Sequence, residues 1–361
     1  MYVSTSHHPT STSEPPRTGP YEGPYRRHHH QSGKGETAMT SDAVTYKCHR
    51  YGDHSLQRVG VWQFSEEHSP PPSSSSSSNS SPLWIVYIHG GAWRDPEITH
   101  TSFNATIDSL TSSTTTTTSS SSSASSTVNT SPSPSSPPLR PGIAGFASID
   151  YRLSPHPDYP QDPSSTPVNE LRSARHPDHL RDVQSGLTLL SREYNLQDDR
   201  YILVGHSAGA TLSFQTLTTS SHDGGDRGSP LPAAVVGVAG IYDLRGIDER
   251  HGGGYAGFIS GAFGDDAREW DAASPARFEG DYGALLGRKD EGGGPAQRKI
   301  FLVRSVEDEL VDSAELQGMK SRLERDGVKV KAVDDLTGHH DDVWRGGDQM
   351  ARIIGLVLES L

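Results

Sequence analysis

The stretch Tyr201-Ile-Leu-Val-Gly-His-Ser-Ala-Gly-Ala210 constrains the fold more than any other part of the chain. A short apolar run leads straight into Gly205-x-Ser207-x-Gly209, and an apolar helical pattern through Leu212, Phe214 and Leu217 follows. A run that is apolar at successive positions reads as a strand buried on both faces, the usual condition of a parallel sheet. The glycines fit a sharp turn in which strand and helix backbones pack too closely for Cβ atoms. Strand, tight turn and helix in this order form the elbow that presents a serine hydroxyl at the carboxyl edge of a sheet, near the positive end of a helix. The spacing therefore predicts Ser207 as a nucleophile. The plain alternative is a Gly-rich turn without chemistry, and both flanks count against it.

The same alternation recurs along the chain. Short apolar runs at 83–89, 143–149, 201–204, 233–239, 300–303 and 328–333 predict strands. Residues 179–194 place Leu180, Val183, Leu187, Leu190 and Tyr194 on one helical face, and the C-terminal segment does the same with Val343, Met350, Ile353, Ile354, Val357 and Leu358. Strands alternating with helices predict an α/β chain, with a mostly parallel sheet and helices on both faces. Residues 45–50 and 57–64 read as two further strands at an antiparallel edge.

Such a domain should be richer in apolar residues than the 32% found here. Polar blocks account for the shortfall. Residues 1–42 are rich in Pro, Ser, Thr, Gly and His and nearly lack aliphatic side chains, so they cannot offset the entropy of ordering and read as a disordered tail. Two Ser/Thr/Pro-rich inserts, about 67–82 and 111–138, read as solvated loops without a core of their own. Smaller Gly- or Asp-rich patches lie near 221–230 and 288–297. Residues 43–361 then form one domain that carries these inserts.

The single cysteine, Cys48, excludes an internal disulfide framework and fits a reducing compartment. A formal net charge of −13 argues against nucleic acid as the main partner, because phosphate binding needs a basic surface. No stretch nears the roughly 18–20 apolar residues of a membrane span. The tail has no apolar core of a secretory signal. Together these readings predict a cytoplasmic protein that binds neither membrane nor nucleic acid. Met39 stands just ahead of the first structured residues as an alternative start. The sequons at Asn79, Asn104 and Asn129 are expected to be unused.

Ile88-His89-Gly90-Gly91-Ala92-Trp93 ends the run at 83–88. Two glycines directly after a strand let backbone N–H groups turn toward a ligand, and such a loop upstream of the serine supplies donors for an oxyanion. Gly90 and Gly91 are the candidates, joined by Ala208, whose N–H follows the serine. His89 reads as structural. Trp93 reads equally as a packing residue or as one wall of a substrate pocket.

Acyl transfer through a serine also needs a base and a carboxylate that orients it, in the chain order serine, acid, histidine. After the run at 300–303 come Glu307, Asp308 and Glu309, with Asp312 further on, and Asp308 is the first choice. After the run at 328–333 come His339 and His340, either of which is in place to be the base. His339, His340, Asp341 and Asp342 are adjacent and lack the ligand spacing of a metal motif, so neither metal nor cofactor is expected. The run at 28–30 reads as an adventitious metal binder. Tyr255, Phe258 and Phe263 lie in a Gly-rich stretch, 252–264, that reads as a lid or, more simply, as a mobile surface loop.

The order of these blocks carries a family resemblance. His89-Gly-Gly-Ala-Trp-Arg-Asp-Pro96, Ser148-Ile-Asp-Tyr-Arg-Leu-Ser-Pro155, Gly205-His-Ser-Ala-Gly-Ala-Thr211, Gly240-Ile-Tyr-Asp-Leu244, Ser305-Val-Glu-Asp-Glu-Leu310 and His340-Asp-Asp-Val-Trp344 follow one another. In this series the chain resembles the fungal kynurenine formamidases (arylformamidases) of the α/β-hydrolase superfamily. The resemblance covers about 43–361 between the inserts. It implies an α/β-hydrolase fold, with Asp308 as the acid and His340 rather than His339 as the base. The chain departs from the family at Asp341 and Trp344, where Asn and Tyr are usual, and in the long insert after Asn104. The implied reaction is hydrolysis of N-formyl-L-kynurenine to L-kynurenine and formate, a step in tryptophan breakdown toward NAD synthesis. The implied partner is that small molecule, with Trp93 and Trp344 as candidate substrate-binding residues and a homodimer as an open question.

Two other readings stand beside it. A general carboxylesterase of the hormone-sensitive-lipase-like group shares the His-Gly-Gly loop and the Tyr-Arg-Leu block. Such enzymes usually carry a third Gly in that loop and an Asp before the serine, where this chain has Ala92 and His206. A hydrolase-fold binding protein without catalysis usually lacks one of the three reactive residues, all of which are available here.

Overall fold

A computed structural model describes residues 44–65, 82–112, 142–219, 229–289 and 295–361. The readings of 1–42 as a tail and of the two long inserts fall almost wholly outside these residues.

The strands are β1 (Val44–Arg50), β2 (Arg58–Phe64), β3 (Leu83–Ile88), β4 (Ile143–Ile149), β5 (Tyr201–His206), β6 (Ala234–Val238), β7 (Gly287–Lys289), β8 (Pro295–Gln297), β9 (Lys299–Ser305) and β10 (Val330–Leu336). The helices are α1 (Asn104–Thr111), α2 (Asp178–Tyr194), α3 (Ala208–Thr219), α4 (Leu244–Arg250), α5 (Ala256–Phe263), α6 (Ala267–Ala273), α7 (Tyr282–Leu286), α8 (Ser313–Arg325), α9 (Asp342–Arg345) and α10 (Asp348–Ser360). Eight strands form one sheet in the order β1-β2-β4-β3-β5-β6-β9-β10, while β7 and β8 make a separate hairpin. From β4 to β10 the neighbours run parallel, and β1 and β2 add the expected antiparallel edge.

The continuous apolar runs are explained by two-sided burial. Along β3 and β5 successive side chains alternate between faces. Val86, Ile88, Tyr201 and Leu203 join Leu180, Val183, Leu187 and Leu190 of α2 on one side. Ile85, Tyr87, Ile202 and Val204 join Ile107 and Leu110 of α1 and Met350, Ile353, Ile354 and Val357 of α10 on the other. A third cluster packs Phe214 and Leu217 of α3 against Leu316, Met319 and Leu323 of α8.

Three local readings change. The last strand lies at 330–336 rather than 328–333, because Val328 packs with α8 while Val333 and Leu336 face the core across a break in register. The C-terminal helical pattern is two helices, α9 and α10. They are separated at Gly347, which has φ +80° and comes so close to α1 that a Cβ there would lie 2.1 Å from the carbonyl oxygen of Ala105. The stretch 252–264 is no surface loop. After a turn it becomes α5, which buries Phe258, Ile259, Ala262 and Phe263, and the buried Tyr255 donates its hydroxyl proton to the Leu310 carbonyl at 2.6 Å.

Candidate active site

Parallel strands deliver their carboxyl ends to one edge of the sheet, and every candidate residue lies just beyond such an end. Ser207 follows β5 and has φ +52°, a left-handed conformation that costs a non-glycine residue about 1–3 kcal/mol. The flanking structure enforces it. A Cβ on Gly209 would sit 2.1 Å from the Ile88 carbonyl oxygen, and one on Gly205 would sit 2.3 Å from that of Gly209. Strand and helix therefore cross at a separation only glycine allows. The Ser207 N–H donates to the Val238 carbonyl at 2.9 Å, and its own carbonyl accepts from Ala210 at 2.9 Å. Its Oγ is buried and has no hydrogen-bond partner among the described residues, so it makes no bond to His340 in this structure. Such nucleophile–base contacts are often loose without substrate.

The loop after β3 is equally constrained. Gly91, Ala92 and Trp93 have φ of +91°, +49° and +59° in succession. A Cβ on Gly90 would lie 3.1 Å from the Ser207 Cβ and 2.9 Å from His206 Nδ1, so this loop lies directly against the elbow. The backbone N–H groups of Gly90, Gly91 and Ala208 donate to no backbone acceptor among the described residues. Trp93 is fully buried, with ring centroids 4.9 Å from Phe263 and 6.2 Å from Phe258, and its indole N–H has no acceptor there.

The acid and base candidates meet. His340 Nδ1 lies 3.0 and 3.1 Å from the two Asp308 oxygens, and the two side chains are 2% and 0% exposed. Burial alone would raise the Asp308 pKa. The hydrogen bond and charge of His340, with the N–H groups of Val311 and Leu310, outweigh burial and hold it below the ordinary carboxylate value. Burial alone would lower the His340 pKa, but the hydrogen bond and charge of Asp308, with the charges of Asp341 and Glu309, raise it.

The rejected carboxylates have other partners. Glu307 accepts from the Gly338 N–H, and Glu309 accepts from the His340 N–H at 3.0 Å and lies 3.2 Å from His339 Nδ1. Three consecutive acids thus stitch the loop after β9 to the loop after β10. Asp312 pairs instead with Arg250 at 2.7 Å. The His339 side chain is 73% exposed.

In the sequence His206 differs from the esterase pattern and carries no other signal of a role. It is buried under this loop, with its ring centroid 4.6 Å from that of His340 and its Nε2 3.1 Å from the His340 carbonyl oxygen. Burial, then the charge of His340, push its pKa down to about 3. Trp344 is half-buried, donates to Asp341 at 3.1 Å and stands 6.5 Å from the His206 ring. His206, His340 and Asp341 also bring potential metal-ligand atoms within 4.8 Å of one another among the described residues. Asp308 takes Nδ1 of His340, and Trp344 and Arg345 take the Asp341 oxygens, so a metal would claim the one His340 nitrogen left for proton transfer. The set can do acyl-transfer chemistry: it offers a hydroxyl, an imidazole held by a carboxylate, and unclaimed N–H donors.

No family model matches the chain. It is 37% identical over 280 residues to a kynurenine formamidase-like hydrolase of Fusarium equiseti, across 75% of this chain and 81% of that protein. It is 33% identical over 284 residues to a kynurenine formamidase of Aspergillus versicolor, across 73% and 84%. A kynurenine formamidase of Meyerozyma guilliermondii is 27% identical over 303 residues, across 83% and 88%. Among solved structures, esterase B of Lactobacillus rhamnosis superimposes with a TM-score of 0.54 at 14% identity, covering 88% of this chain and 87% of that one. An esterase/lipase from an uncultured bacterium gives 0.53 at 14% identity, covering 88% and 85%. These likenesses establish an α/β-hydrolase fold.

Proposed function

The chain belongs to the kynurenine formamidase family, and from that premise we propose that it hydrolyses N-formyl-L-kynurenine to L-kynurenine and formate through Ser207, His340 and Asp308. His340 Nε2 takes the Ser207 proton as Oγ attacks the formyl carbonyl. The N–H groups of Gly90, Gly91 and Ala208 hold the oxyanion of the tetrahedral intermediate. The imidazolium, steadied by Asp308, then protonates the departing aryl amine, and the C–N bond breaks. Water, deprotonated by His340, attacks the formyl-serine, releasing formate and restoring the hydroxyl. No cofactor enters this sequence.

The observation that carries the residue roles is the buried contact between His340 and Asp308 beside the elbow. Trp93 and Trp344 are the proposed substrate-contacting residues, and the unsatisfied indole N–H of Trp93 supports a polar acceptor from a ligand. No helix among the described residues is long and apolar enough to cross a membrane. The proposed setting is the cytoplasm, in tryptophan breakdown, with a small molecule as substrate and no nucleic acid or membrane as partner. A homodimer is the assembly to test.

The test is turnover of N-formylkynurenine against short p-nitrophenyl esters by wild type and Ser207→Ala. The expected result is formamide hydrolysis that Ser207→Ala abolishes. Ester turnover alone would make the chain a carboxylesterase, and no turnover of either would make it a binding protein.

A further inference from the structure

The Asp150-Tyr151 block, sixty positions beyond the glycine loop, has no part in the proton transfers above. Yet its side chains are folded under that loop. The Tyr151 hydroxyl lies 3.1 Å from the carbonyl oxygens of both His89 and Gly90. The His89 ring stacks on the Tyr151 ring, with centroids 4.5 Å apart and planes 11° from parallel. Both nitrogens of His89 face acceptors, Nδ1 the Gly90 carbonyl at 2.9 Å and Nε2 the Asp150 carboxylate at 3.4 Å. Asp150 in turn accepts from Arg58 Nε at 2.6 Å, from His100 Nδ1 at 2.8 Å and from the His100 N–H. Tyr151, His89 and Asp150 are each no more than 1% exposed.

In a planar trans peptide the C=O and N–H point in opposite directions. The carbonyl of His89 shares its peptide plane with the N–H of Gly90, and the carbonyl of Gly90 shares its plane with the N–H of Gly91. Pinning these two carbonyls fixes the direction of those two N–H groups. The glycines need such a restraint, because residues without a Cβ have the widest choice of backbone angles.

We infer that Tyr151, backed by His89 and Asp150, is the positioning residue of the oxyanion loop: it anchors the carbonyls of His89 and Gly90 so that the N–H groups of Gly90 and Gly91 stay aimed beside Ser207. The inference rests on the hydrolytic reading of Ser207. Tyr151 touches no reacting atom, and its effect falls on the tetrahedral state more than on substrate binding.

The experiment compares full-length wild type with Tyr151→Phe, which keeps the ring stack and removes the anchoring proton. Hydrolysis of N-formylkynurenine is measured together with inhibition by phenylboronic acid, a probe that forms a tetrahedral adduct with a serine hydroxyl. The expected result is a fall in kcat of about 10- to 100-fold, somewhat below the loss of a whole oxyanion donor. KM should stay within about twofold, and the boronate should weaken in parallel with kcat. A kcat within about threefold of wild type in a folded variant would overturn the inference, as would KM and kcat changing together. If Tyr151→Phe does not fold, Asp150→Asn is read in the same way with the same two outcomes. Should the wild type leave N-formylkynurenine intact, boronate affinity and fluorophosphonate labelling of Ser207 still compare the two proteins. The substrate assignment would then fail alone.

Discussion

The carboxylate of Asp308 meets Nδ1 of His340 at 3.0 Å in a site closed to water on both sides of the bond. The raised pKa of His340 and the depressed pKa of Asp308 set two pH windows. A raised histidine stabilises the fold below its unfolded value near 6.5, and that stability is lost as pH rises through the folded value. A depressed carboxyl stabilises above its unfolded value near 3.8, and that stability is lost as pH falls through the folded value. Both contributions are full between those two reference values. Catalysis needs neutral His340, so kcat/KM should rise with pH along a limb whose midpoint lies above 6.5. Asp308→Asn should lower kcat by about 10⁴-fold, the loss that follows when the base is left in the wrong tautomer. A pH–rate profile of the wild type with a midpoint below 6.5 would count against this coupling.

The adjacent histidines should separate cleanly. His339 is mostly solvated, and its link to Glu309 is a surface pair worth little. His339→Ala should retain activity within about threefold, whereas His340→Ala should lose about 10³-fold or more. Steady-state kinetics on the two variants checks this, and the reverse ranking would transfer the base to His339.

Gly209→Ala should behave as a folding defect rather than a catalytic one. The added methyl would meet two backbone carbonyls, those of Ile88 and His89, which cannot rotate away. Overpacking against backbone should cost about 3 kcal/mol or more. Thermal melting of the purified variant reads this directly, and a melting temperature equal to wild type would refute the close crossing of strand and helix.

The packing of α5 gives a test that distinguishes core from lid. Phe263 meets the Trp93 ring edge-on and is buried. Phe263→Ala should destabilise by about 3–5 kcal/mol, as removal of a core phenyl does. Denaturant unfolding measures it. A lid residue would instead change KM with unfolding unaffected.

Much of the site was legible because its constraints are local. A tight turn needs glycine at positions adjacent in sequence, so Gly205, Gly209, Gly90 and Gly91 announce themselves. The strands of the sheet centre announce themselves too, since two-sided burial removes polar residues from short runs. His340 was separable from His339 only through the family resemblance, because the residues alone do not reveal which ring turns inward. The break at Gly347 depends on how closely α1 approaches, a distance no helical periodicity encodes. The role of Tyr151 was hidden for the same reason: its partners lie sixty residues upstream, and nothing near Tyr151 in the chain refers to them. For Phe258 and Phe263, the surrounding glycines suggested mobility, and the apolar face toward Trp93 outweighed them.

The sheet also separates what can vary from what cannot. Leu83, Ile143 and Ala234 begin β3, β4 and β6 at the amino edge. The serine, the glycine loop, the acid and the base follow the carboxyl ends of β5, β3, β9 and β10. A strand of six or seven residues is a spacer of roughly 20 Å between those edges. Substitutions at the amino edge therefore act a strand's length away from the reacting atoms. The chain has one edge open to innovation and another under chemical constraint.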